Sequence, residues 1–108
     1  MFKKEGRIES GTTLVAANWE LEGELQFSNE MLVNGIVKGK IDAQSGSKAI
    51  VRISEKGRVQ GEIRVPRIVV NGEVFGDIWS DKHIELAAKA EVKGNVYYHL
   101  IEMVQGSR

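Results

Sequence analysis

Few side chains in this 108-residue chain have chemistry to offer. There are two histidines, His83 and His99, and no cysteine. A zinc-type site needs three or four converging His, Cys or carboxylate ligands. His83 and His99 stand one and two residues before Ile84 and Ile101, two residues that open equivalent stretches of the chain. They therefore occupy non-equivalent positions, and solvated histidines are expected. The 15 Asp and Glu residues are scattered. None sits in the paired setting that would tune one carboxyl for acid–base work. The glycines lie within strand-like stretches and precede no helix, so no phosphate-binding loop is present. No catalytic, cofactor-binding or metal-binding residue is assigned. Lys plus Arg is also 15, and this balance supplies no basic surplus for nucleic acid.

The informative residues are the glycines and what surrounds them. Met31 to Ile41 reads MLVNGIVKGKI, and Ile68 to Ile78 reads IVVNGEVFGDI. Six of these 11 positions are identical, including Asn34 with Asn71, Gly35 with Gly72 and Gly39 with Gly76. A shorter unit recurs five times: an apolar residue, any residue, Gly, any residue, an apolar residue. Its glycines are Gly23, Gly39, Gly61, Gly76 and Gly94, at intervals of 16, 22, 15 and 18. Apolar residues two and four apart lie on one face of a strand. A glycine between two core residues marks a tight bend or a close approach of backbones. Gly35, Gly57, Gly72 and Ala90 stand four residues before a motif glycine, mostly after Asn or Lys, and suggest a second corner with positive φ.

Two architectures use such a pattern. Asn71-Gly72 between Val70 and Val74 suits a two-residue hairpin turn and an antiparallel meander. The recurring unit suits one coil of a parallel solenoid. Stacked coils would set Glu22 beside Lys38, Glu24 beside Lys40 and Lys40 beside Glu62. Opposite charges so placed stabilise by roughly 0.2–1 kcal/mol per pair. The repeat favours stacking. It also overrides the helix propensity of Ile84 to Val92, because Ile84-Glu85-Leu86 aligns with Val51-Arg52-Ile53. The reading is all β: a single-domain solenoid of about five to six coils of roughly 18 residues. Residues 1–11 are expected to be a flexible tail and residues 12–108 the solenoid. Residues Ala43 to Ala49 are expected to bulge as a loop, and Pro66 to turn a corner before the strand at Ile68.

The stretches Val51 to Ile78 and Ile84 to Tyr98, within a likeness that runs from about Leu14 onward, resemble the bactofilins, bacterial polymer-forming cytoskeletal proteins. The resemblance implies a right-handed parallel β-helix with a triangular core. It implies end-to-end assembly into non-polar filaments without nucleotide. It implies a cytoplasmic scaffold at the inner face of the membrane, with cell-wall or cell-shape proteins as partners. The end residues expected to carry polymer contacts are Trp19, Leu100, Ile101 and Met103. Trp19 fills the place of Gly or Ala in later coils and is expected to cover the open core. Phe2, Lys3 and Lys4 match the family's N-terminal membrane contact. Ile101 plus ten gives position 111 for the next motif glycine, so the last coil is partial within these residues. Phe75, Trp79 and Tyr97 have outward parity and are expected to form an outer aromatic patch, either an ordinary ladder or a docking surface for a partner or a lateral filament contact. Trp79 and Tyr97 are expected to stack, with Arg64 over Trp79. The alternative is a small trimeric β-helix enzyme of the acyltransferase or carbonic anhydrase kind, although those folds use a six-residue period.

Overall fold

The structure, a computed structural model, describes residues 2–3, 6–8, 12–27, 29–43 and 48–103. Among them the chain is all β, and every strand pair is parallel. The strands lie in six tiers. The first holds β1 (Phe2–Lys3), β2 (Gly6–Ile8) and β3 (Thr12–Val15). The second holds β4 (Glu20–Phe27) and β5 (Glu30–Val33), the third β6 (Ile36–Ala43) and β7 (Ile50–Ile53). The fourth holds β8 (Arg58–Arg64) and β9 (Arg67–Val70). The fifth holds β10 (Glu73–Phe75), β11 (Ile78–Trp79) and β12 (His83–Leu86). The sixth holds β13 (Glu91–Lys93), β14 (Val96–Tyr97) and β15 (Leu100–Met103). Five turns carry the chain from β3 to β15, and the fold is a right-handed parallel β-solenoid.

Each tier has three faces. One is the six-stranded sheet β15-β12-β9-β7-β5-β3. The long strands β4, β6 and β8 span the other two, bending at their glycine; in the fifth and sixth tiers the bend divides the strand. Gly39 and Gly76 show why only glycine serves there. Their φ values are +136° and +143°, a region that side-chain-bearing residues avoid. A Cβ built on Gly39 would lie 2.0 Å from the Gly23 carbonyl oxygen, and one on Gly76 1.8 Å from that of Gly61. The motif glycines thus form a column of backbone touching backbone.

The second corner differs from expectation. Gly35, Gly57 and Gly72 do not have positive φ. They are small because a Cβ would lie 2.2–2.3 Å from a carbonyl oxygen of the preceding tier. This corner comes in two lengths. A four-residue turn is closed by Trp19 N donating to Ala16 O at 2.9 Å, and recurs at Ser54–Gly57 and Ala87–Ala90. A two-residue Asn-Gly version stands at Asn34-Gly35 and Asn71-Gly72. Its amides bond to the tier before, with Asn34 N and Gly35 N both donating to Val15 O. No hairpin forms there. The two lengths account for part of the uneven glycine spacing.

Core columns run along the axis: Leu21, Val37, Val59, Val74 and Val92; Leu25, Ile41, Ile63, Ile78 and Val96; Met31, Val51, Ile68, Ile84 and Ile101. Residues Ile84 to Val92 run strand, turn, strand, as the repeat required. Pro66 turns the corner before β9, and its carbonyl accepts from Ser80 Oγ at 2.6 Å. Of the Ala43–Ala49 loop, residues 44–47 lie outside the described residues.

Residues 1–11 do not read as a tail throughout. Phe2 and Lys3 pair with Leu21 and Glu22, and Gly6, Arg7 and Ile8 with Leu25, Gln26 and Phe27. The physical reason is the edge of β4, whose N–H and C=O groups template a further parallel strand. Lys4 lies outside the described residues.

Candidate functional site

The C-terminal tier is the most distinctive surface. In the fifth tier Val74, Ile78 and Ile84 are fully buried and Leu86 is 4% exposed. Their partners one tier on are Val92, Val96, Ile101 and Met103. The first three are only partly buried, and Met103 is 60% exposed. Tyr98 belongs with them. It stands two places after Val96, as buried Ser80 does after Ile78 and Val65 after Ile63, yet it is 53% exposed. The difference is stacking: among the described residues no tier covers this end. The result is an apolar plate rimmed by β13, β14 and β15, whose outer edges face no described strand. Of the expected end residues, Ile101 and Met103 lie in this plate. Leu100 is exposed but has outward parity, beside the rim. Val92, Val96 and Tyr98 were missed, although their place in the last motif repeat is legible in the sequence.

Trp19 does not cover the core. It sits in the Ala16–Trp19 turn, 43% exposed, in a tier that already has β1 and β2 on its N-terminal side.

The outward aromatics divide at the Gly76 corner. Trp79 and Tyr97 stack with centroids 5.2 Å apart and planes 10° from parallel. The Arg64 guanidinium lies 4.2 Å from the Trp79 ring centre on the opposite side. Phe75 is on the next face, with Arg58 and Lys93 at 5.6 and 5.7 Å. An open groove of about 690 Å³ follows the Trp79–Tyr97 ladder, lined also by Pro66, Ser80, Tyr98 and His99. Replacing Trp79 by Ala removes both ladder contacts. We expect a loss of about 1–2 kcal/mol, read as a lower urea midpoint; an unchanged midpoint would show the ladder to be idle.

His83 and His99 are not brought together on a common ligand. The Nε2 of His83 lies 2.6 Å from Oε1 of Glu102, which clips β12 to β15 on the outer face. The expected charge columns are in register, Glu22 with Lys38, Glu24 with Lys40 and Lys40 with Glu62. The Lys38 amine nonetheless reaches Glu20, at 3.5 Å. Both partners are substantially exposed, so the contribution is small.

Among the described residues, then, the C-terminal end of the solenoid presents apolar side chains and open strand edges. The sequence profile of the bactofilin family, described as polymer-forming cytoskeletal, matches residues 13–108. The chain belongs to the bactofilin family. It is similar to Bactofilin BacO of Myxococcus xanthus (strain DK1622), 24% identical over 95 residues, covering 88% of this chain and 72% of that protein. No solved structure matches. As a bactofilin it is a polymer-forming cytoskeletal protein. No helix among its described residues is long and apolar enough to cross a membrane.

Proposed function

We propose that this bactofilin is a cytoskeletal scaffold that polymerises end to end, without nucleotide, through the plate formed by Val92, Val96, Tyr98, Ile101 and Met103. The plate carries the reading: its apolar residues and three open strand edges are together what a further tier would cover. Contact between like ends, each through a two-fold axis, would build a filament without polarity. Trp19 then flanks the other end, and Leu100 the rim of this one.

The filament works in the cytoplasm, at the inner membrane surface, and recruits cell-wall or cell-shape proteins rather than catalysing a reaction. Phe2, Lys3 and Lys4 supply the lipid contact. One aromatic and two basic residues bind weakly alone, and a polymer multiplies them. Electron microscopy of the purified protein without nucleotide should show unbranched filaments; discrete trimers would favour the β-helix enzyme instead. Removing residues 1–6 should abolish co-sedimentation with anionic liposomes. Equal binding with and without them would eliminate this stretch as the contact.

A further inference from the structure

We propose that the outer face of the six-stranded sheet is where two filaments of this protein lie side by side, with their tiers running in opposite directions. This rests on the end-to-end filament proposed above. The face is the most apolar of the three. Leu14, Leu32, Ile50, Val69 and Leu100 all have outward parity on it, and Leu14 and Leu100 are exposed. Each of the other faces has two outward apolar residues, Ile36 with Phe75 and Trp79 with Tyr97, and cations lie over Phe75 and Trp79. The charges on the sheet face are sorted by tier. Glu30 is in the second, Arg52 in the third, Arg67 in the fourth, Glu85 in the fifth and Glu102 in the sixth. Three acids against two arginines leave no basic surplus for an anionic lipid or a nucleic acid. A second copy supplies the complement. Copies aligned tier on tier would set Arg52 on Arg52 and Arg67 on Arg67. Copies reversed about the middle of the stack would set the two arginine tiers on each other. A reversed copy shifted until the third and fourth tiers meet the sixth and fifth puts each basic tier on an acidic one. Ile50 then faces Leu100 and Arg52 faces Glu102. Arg67 and Val69 face His83 and Glu85, and the Arg67 guanidinium reaches Glu85 across the contact. A two-fold axis repeats every pair. Arg67 and Glu85 have no ionic partner among the described residues, whereas Arg52 and Glu102 already meet Glu30 and His83.

The contact is too small to hold single subunits. Four tiers at about 4.8 Å and strands of four residues at about 3.3 Å give roughly 250 Å² per copy, against the ~800 Å² per partner of a stable complex. Only a polymer, which repeats the patch, can pair through it. Arg67 and Glu85 face outward, so changing them should leave the fold intact. Electron microscopy and low-speed sedimentation of purified filaments at low salt read the pairing. The parent should form paired filaments that separate as salt is raised. Arg67→Glu and Glu85→Arg should each lose pairing while filament length is kept. The double variant Arg67→Glu/Glu85→Arg should regain it, because the exchanged charges still oppose each other across the two-fold axis. Single variants that pair as the parent does overturn this face as the contact. A double variant that stays single overturns the reversed, shifted register, and the inference with it. Parent filaments that run singly at low salt overturn the inference alone. A parent that forms no filaments overturns the end-to-end reading and this inference together.

Discussion

Gly39→Val and Gly76→Val should each lower stability by several kcal/mol, the largest effect expected from any conservative change in this chain. Two costs add. The backbone sits at φ +136° and +143°, where an L side chain is strained by roughly 1–2 kcal/mol. The new Cβ would also lie 2.0 and 1.8 Å from a carbonyl oxygen of the tier before. No rotamer relieves that contact, because both groups are backbone. The tiers must part locally, at a further cost of about 1–3 kcal/mol or more. For a domain of this size the sum lowers the melting temperature by roughly 15 °C or more. Gln60→Ala, on β8 one place before Gly61, is the control and should stay within about 0.5 kcal/mol. Circular dichroism melts decide the matter. Unchanged melting of both valine variants would show that the column is not as close as described.

The second large effect is a contrast between two arginines. Ile63→Arg places a charge in the middle of the Leu25–Val96 column, where Ile63 is fully buried. An unpaired charge there costs several kcal/mol, so that chain should not fold. Ile101→Arg places the same charge in the C-terminal plate, where the residue is only partly buried. The guanidinium can reach water from there, so a β-rich, cooperatively melting protein should remain. It should stop at small oligomers, as dimers joined through the other end. Sedimentation and electron microscopy read the outcome. Long filaments of Ile101→Arg under conditions where the parent polymerises would remove this plate from assembly. Met103→Arg, at a more exposed position of the same plate, should act in the same direction.

Much of this was legible in the residues alone. The five glycine motifs identify the strands, their inward faces and the tier-to-tier register, because a period-2 alternation around an obligatory glycine leaves little freedom. The repeat also identifies Ile84 to Val92 as strand, turn and strand, against its composition. Stacking of Trp79 on Tyr97, under Arg64, follows from that register. The short-range signals were less reliable. Asn34-Gly35 and Asn71-Gly72 look like positive-φ turns, yet their glycines answer to a carbonyl in the tier before, a contact no local pattern contains. Trp19 looks like a lid when the stack is taken to begin at Leu14. Strands β1 and β2 extend the stack past it, because an open sheet edge recruits weak sequence that would be unstructured alone. Phe75 and Trp79 look like one patch until the Gly76 bend turns them onto different faces. The composition and spacing of the chain thus determined its tiers and their columns. How far each core position of the last described tier is covered was decided only by tertiary structure. Burial at a core position depends on whether another tier lies beyond it: Ile84 and Ile101 have the same parity, and among the described residues only the first is covered by a further tier.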